Sequence, residues 1–282
     1  MNFGSTFRKL RLHKGYNLEF VSKGIISVSF LSKFERNESE ISLPKILELL
    51  NRINVNFNEF LFIHNGFKKN EVAILMEHLN TAYLQGNIKL LNQLSENEDL
   101  KFEKTGLLTY KLNSIMIQSI CFDLNQNKLK KRDVDVLVDY LWGVEIWGEY
   151  EIILYGNTLH TLDIDSVILL SSELVNKSIY FKKITSYRRD MYGIYLNTIR
   201  VCLENNKYKE AELYINVLKN SEIKENFILE KIMLNFYEGI LKMKTDYETG
   251  LIIAQKNIHI LEEVDAKNFA VNFKEYLKSY LR

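Results

Sequence analysis

One proline in 282 residues is the most telling scarcity in the chain. Proline is tolerated in the first turn of a helix and disrupts a helix interior. A chain with so little of it, and with few runs of alternating apolar and polar residues, reads as all-α. Pro44 itself follows Ser42 and Leu43 at the start of LPKILELLNRI, where it does least harm. Cysteine is nearly as scarce. Cys121 and Cys202 sit inside apolar helical patterns, which points to buried thiols in a reducing compartment and away from a disulfide framework. No apolar run approaches the roughly 20 residues that cross a bilayer. The opening segment MNFGSTFRKLRLHKG scatters its apolar side chains, unlike a signal peptide. A cytoplasmic protein with no membrane partner is expected.

Catalytic signals are also missing. There is no glycine-rich phosphate loop and no serine, histidine and aspartate order worth following. The histidines at 13, 64, 78, 160 and 259 form no i, i+4 pair, so no zinc site is expected. Asp133 and Asp135 imitate a calcium loop for three residues before a helical run begins. The DID at 163–165 reads as a helix cap. No enzyme and no cofactor are expected.

The most informative stretch that is present is LEFVSKGIISVSFLSKFER, residues 18–36. Asn17 can cap a helix from Leu18 to Gly24, and Ser27 a second from Val28 to Arg36, because short oxygen side chains accept the free amides of a helix start. The connection GII suits two helices set at an angle, as in a helix-turn-helix. Val21, Ile26, Leu31 and Phe34 fall inward. Val28, Ser29, Ser32, Lys33 and Arg36 fall outward, a small, polar and basic set that suits a major groove. A first helix from Phe3 to His13 precedes the pair, with Phe7, Leu10 and Phe3 inward. Two more helices follow, with Leu43, Ile46, Leu47, Leu50 and Ile53 at helical spacing and Phe57, Phe60 and Leu61 closing the bundle. Residues 1–64 carry a net charge of +3 and the remainder −2, which fits a DNA-binding head on a weakly acidic body.

The segment HNGFKKN (64–70) breaks the periodicity and marks a boundary. The expected domains are a DNA-binding head at 1–65, a linker at 66–70 and a helical body at 71–282. Helical segments are expected in that body near 71–85, 88–96, 101–125, 131–142, 145–156, 164–179, 183–205, 208–219, 224–243, 247–263 and 266–281. NNKYKEAELYI (205–215) and KTDYETGLIIA (244–254) align, with Tyr208 and Tyr247 in one column and Ala211 and Gly250 in another. GNIKLLNQL (86–94) is a weaker copy. A small residue one turn into the second helix of a pair lets it pack closely on the first, the logic of tetratricopeptide-like repeats. Asn197 and Asn235 correspond in the helices that precede the two copies. The fold class is therefore all-α: a five-helix bundle followed by an α-solenoid of tetratricopeptide-like helix pairs.

The front of the chain, LEFVS, a turn, SVSFLSKFER, then LPKILELL, resembles the Xre/Cro-type DNA-binding bundle. Together with the body, and with YLWGVEIWGEYEIILYGNTL (140–159), the whole chain resembles the Rgg/MutR-type transcriptional regulators. The resemblance implies a homodimeric, cytoplasmic regulator of Gram-positive bacteria whose repeats bind a short hydrophobic pheromone peptide (quorum sensing). It also implies that Arg11 and Glu35 occupy the places of a structural arginine–glutamate pair. Some members join their heads through a disulfide, but residues 1–70 here contain no cysteine.

Two sets of site residues follow. For double-stranded DNA, Val28, Ser29 and Lys33 are expected at base edges, with Ser27, Arg36 and Lys45 on phosphates. A dimer would read a roughly palindromic operator. For the peptide, Asn197, Asn235 and Asn157 can each donate and accept to an unpaired main chain. Arg188 or Arg189 can hold a terminal carboxylate as a fork. Tyr155, Tyr192, Ile194 and Tyr237 are candidates for apolar pockets. Two alternatives remain at this point: a helical-repeat adaptor without DNA function, and a DNA-binding regulator that answers to a non-peptide ligand. Activation and repression, and a contact with RNA polymerase, stay open.

Overall fold

The computed structural model describes residues 2–68, 71–125, 128–177, 185–221 and 223–281. The expected linker at 66–70 lies partly outside them, at Lys69 and Asn70, as do the ends of the helices expected at 164–179 and 183–205. All regular structure among the described residues is helical. The chain divides into two compact units, Met1–Asn80 and Thr81–Arg282.

The first unit holds α1 (Phe3–His13), α2 (Leu18–Ser22), α3 (Val28–Glu35), α4 (Leu43–Arg52) and α5 (Phe57–His64), and most of α6 (Glu71–Leu84). The caps form as the sequence dictates: Asn17 Oδ1 accepts from Phe20 N at 2.8 Å, and Ser27 Oγ accepts from Phe30 N at 3.1 Å. Pro44 stands in the first turn of α4. Phe7, Val21, Leu31, Phe34, Leu50 and Phe60 form the core. Three inward expectations are corrected. Phe3, Leu43 and Leu47 are exposed, because α4 turns Ile46, Leu49 and Leu50 to the core and Phe3 lies on the surface against Phe60 and His64. α1 and the end of α3 approach so closely that a Cβ on Gly4 would stand 1.8 Å from the Phe34 carbonyl oxygen.

The second unit continues with α7 (Ile88–Thr105), α8 (Leu108–Asn125), α9 (Lys131–Gly143), α10 (Glu149–Thr158), α11 (Ile164–Lys177), α12 (Thr185–Glu204), α13 (Tyr208–Asn220), α14 (Ile228–Lys242), α15 (Tyr247–Glu263) and α16 (Lys267–Tyr280). α7 runs through the break expected at 97–100. The chain turns instead at Gly106, whose φ of 70° is the left-handed stop that closes the helix. α10 likewise begins later than expected, at a Gly148 whose amide donates to Glu151 Oε2 at 2.9 Å. Asp163 caps α11 by accepting from Ser166 N at 2.9 Å.

The repeat columns find their physical meaning here. Tyr208 and Tyr247 each open the second helix of a hairpin, α13 and α15, whereas Ile88 opens α7, which packs on the α8 that follows it. Ala211 is fully buried, and a Cβ on Gly250 would stand 2.4 Å from Met243 N, so the small residue permits the close crossing. α8, α10, α12 and α14 lie side by side, each touching the next, with α11 and α13 packed between successive rungs. This is the helix-pair solenoid read from the sequence.

Candidate DNA-reading surface and peptide-binding face

α3 is held on its inner side by Leu31 and Phe34, which leaves Val28, Ser29, Lys33 and Arg36 exposed and Ser32 half-covered. Ser27, at its N-cap, is exposed as well. The helix is locked from beneath by an ion pair. Arg11 Nε donates to Glu35 Oε1 at 2.6 Å and Nη2 donates to Oε2 at 2.7 Å, both side chains being about 95% buried. Arg11 Nη1 also donates to the Tyr16 carbonyl, so the guanidinium ties α1 to the start of the turn and to the end of α3. The fork geometry satisfies both charges where water is excluded.

Two of the expected phosphate holders are engaged within the head. Arg36 Nε and Nη2 donate to Glu38 at 2.7 and 2.8 Å, and Nη1 donates to Ser32 Oγ at 2.7 Å. The Arg36 hydrogen bonds hold the Glu38 carboxyl below its ordinary range, and the charge of Lys33 adds to that. Lys45 pairs with Glu48 at 3.3 Å. Glu38 and Glu48 are the charged neighbours that residue spacing did not single out. Their sign, opposite to the surface they border, was the available signal.

In the second unit the aromatic expectations are corrected. Tyr155 is fully buried; its hydroxyl bonds to the Val167 carbonyl at 3.0 Å and to Ser171 at 2.7 Å, and Ser171 passes the contact to Thr198 at 2.7 Å. That chain stitches α10, α11 and α12, and burial pushes the Tyr155 hydroxyl well above its ordinary range. Tyr192 packs edge-on against Phe227, and Ile194 is 2% exposed. Tyr237 lies among Phe236, Phe273 and Tyr276, where burial pushes its hydroxyl up to about 12. All four are core side chains, because each points between rungs of the solenoid.

The polar expectations fall differently. Asn157, Asn197 and Asn235 lie on α10, α12 and α14, three adjacent rungs, and none is fully buried. Asn157 spends its amide on the Ile153 carbonyl one turn back. Asn197 and Asn235 have no side-chain hydrogen bond within the described residues. Arg189 rests its guanidinium on the Phe227 ring, 4.7 Å from the centroid, and donates through Nε to Glu230 Oε1 at 2.8 Å. Glu230 is buried, and its second oxygen has no partner among the described residues. Arg188 is half-buried beside it in sequence. The segment 140–159 is chiefly a packing unit: Trp147 is fully buried, donates to the Leu141 carbonyl at 3.1 Å and meets Tyr155 edge-on.

Among the described residues no helix is long and apolar enough to cross a membrane. The model of a helix-turn-helix domain matches residues 7–60. The chain is similar in fold to Rgg2, a pheromone receptor of Streptococcus dysgalactiae, with a TM-score of 0.85 and 24% identity over 98% of this chain and 99% of that one. It is also similar to a putative transcriptional regulator of Listeria monocytogenes, with a TM-score of 0.83 and 23% identity over 99% and 97% of the two chains. PrgX, solved in complex with iCF10, matches with a TM-score of 0.73 and 19% identity over 99% of this chain and 95% of that one. The family model for the C-terminal domain of the helix-turn-helix transcriptional regulator Rgg matches residues 88–275. The chain belongs to the Rgg family of helix-turn-helix transcriptional regulators.

Proposed function

We propose that this regulator binds a roughly palindromic operator as a homodimer and is controlled in the cytoplasm by a short hydrophobic signalling peptide. The observation that carries the reading is the pairing, in one chain, of two surfaces. One is an outward α3 that is small, polar and basic. The other is a ladder of helices on which Asn197 and Asn235 display amides with no side-chain partner among the described residues. Solved relatives of the same fold include a pheromone receptor and pheromone complexes, which supports a peptide as the ligand.

In this reading Val28, Ser29 and Lys33 meet base edges. Ser27, Arg36 and Lys45 hold phosphates, the two cations exchanging their glutamate partners for the backbone of the duplex. Asn197 and Asn235 pair with peptide amides, with Asn157 beside them once it gives up its internal bond. Arg189, braced by Phe227 and Glu230, presents its outer nitrogens to a terminal carboxylate, with Arg188 adjacent. The homodimer is supported by the last two helices, where Ile252 and Phe269 stay exposed at the end of the solenoid, a place that needs covering. Peptide binding shifts the regulator between two states, either by moving the heads or by exposing a contact for RNA polymerase.

The test is a binding titration with the DNA upstream of the chain's own gene, with and without short peptides encoded nearby, alongside a mass measurement in solution. Dimeric protein whose DNA affinity changes with one peptide supports the reading. A monomer indifferent to peptide overturns it.

A further inference from the structure

Gly193 lies in the interior of α12, a helix of twenty residues, where glycine destabilises relative to alanine. Two other interior glycines of the solenoid have a steric reason. A Cβ on Gly239 would stand 2.8 Å from Ala254 N, and one on Gly250 would meet the backbone of both Met243 and Gly239. A Cβ on Gly156 would make ordinary contact with the Ile194 side chain, at 3.4 Å. Gly193 has none of these: its φ is not positive, and a Cβ there would meet nothing within 4 Å. Nothing among the described residues asks for glycine at this position.

Its placement supplies a reason from outside the fold. The uncovered face of α12 runs through Asp190, Gly193, Asn197, Arg200 and Glu204, at intervals of three and four. α10 and α14 flank that face, and α11 and α13 also pack against the helix. Arg200 is turned onto the Tyr276 ring and pairs with Glu204, so the lower end of the stripe is occupied. Gly193 and Asn197, one turn apart, are both half-covered, and a Cβ on Gly193 would meet open space among the described residues.

Asn197, like Asn235, keeps its side-chain amide unspent within the described residues. Asn157, Asn205 and Asn257 each donate to a carbonyl four residues back, at 2.8, 2.9 and 2.9 Å. Asn197 makes no such bond, so its amide keeps one donor group and one acceptor free, the complement of a peptide unit.

We infer that the main chain of an extended peptide crosses α12 directly over Gly193, hydrogen-bonded by Asn197, and that Gly193 sets how closely it can approach. The inference rests on the peptide-receptor reading and deepens it to a residue and a contact. An extended peptide has no sheet neighbour for its amides, so it needs both the side-chain partner and the missing Cβ that lets it reach that partner. Gly193 is thus a size gate: any side chain there lifts the peptide off the helix.

The experiment uses the full chain and a pool of synthetic eight-residue peptides built from Ile, Val, Leu, Phe, Trp and Gly. Native mass spectrometry on the wild type selects the tightest binder, which is then titrated against Gly193→Ala, Gly193→Leu and Asn197→Ala with thermal melting in parallel. The expected result is a melting temperature unchanged or raised in Gly193→Ala, because the helix gains a better former. Peptide affinity falls in both glycine variants, by about tenfold to a hundredfold in Gly193→Leu. Asn197→Ala weakens binding by about fivefold to tenfold. Equal peptide affinity in wild type and Gly193→Leu overturns the inference alone, as does a lowered melting temperature in Gly193→Ala, which would mean that the glycine serves packing. A wild type that binds no member of the pool overturns the peptide-receptor reading, and the inference with it.

Discussion

Arg36 and Glu38 face each other at the end of the recognition helix as a doubly hydrogen-bonded pair, with Nε to Oε1 at 2.7 Å and Nη2 to Oε2 at 2.8 Å. The cation proposed to hold a phosphate is already held by its own chain. Both side chains are about half exposed, and solvent screens exposed pairs of this kind so that they add little to stability. A phosphate can therefore displace the glutamate, but the release of Glu38 opposes binding. Glu38→Gln should raise DNA affinity severalfold and leave the melting temperature unchanged. Arg36→Ala should weaken binding and flatten the dependence of log affinity on log salt by about one unit. Fluorescence anisotropy across a salt series checks both.

The buried pair beneath that helix behaves oppositely. Removing one partner of Arg11 and Glu35 leaves a charge without compensation in the core of the head. Arg11→Met should cost about 3–5 kcal/mol, and Arg11→Met with Glu35→Leu should recover much of it. Urea unfolding of the two variants, followed by circular dichroism, measures the difference.

The close crossing of α14 and α15 predicts a third result. Gly250→Ala sets a methyl group against the backbone of Met243 and Gly239 and should destabilise the solenoid by about 1–3 kcal/mol. Ala211→Gly, in the same column of the repeat, should cost about 1 kcal/mol through helix propensity, with a further loss from its buried methyl. Thermal melting separates the two.

His64 gives the head a dependence on pH. Desolvation beneath Phe3, whose ring stacks on it at 4.2 Å, holds the imidazole below its ordinary value of 6.5. A histidine depressed in the folded state is neutral there while the unfolded chain takes up protons. Its contribution is present above the ordinary value and is lost as pH falls through it toward the folded value. Head stability should decline on acidification through that window, and less so in His64→Gln, as read by urea midpoints at successive pH values.

Much of this was legible in the chain because it depends on local chemistry. Asn17, Ser27 and Pro44 marked helix starts that the structure keeps, since capping needs only neighbouring atoms. The alignment of Ala211 with Gly250 pointed to close helix pairs because a short side chain has one packing use at that place. The break between α7 and α8 was misplaced: polar residues at 97–100 resemble a turn, whereas the turn is made by Gly106. Tyr155, Tyr192, Ile194 and Tyr237 were misread for a different reason. Helical periodicity says that an aromatic side chain faces a neighbour but not whether that neighbour is the next rung or a ligand. Glu38 was invisible as a competitor because a bend after Glu35 brings it back against Arg36, and residue spacing on a helix cannot anticipate that.

The central claim, that α3 reads DNA, is tested most directly by titrating a labelled duplex from upstream of the chain's own gene with wild type, Lys33→Ala and Arg36→Ala across a salt series. The account predicts tight binding by the wild type that weakens steeply with salt, a loss of affinity in both variants, and a shallower slope in Arg36→Ala. Equal, weak binding of all three proteins to this duplex and to one of scrambled sequence would contradict it.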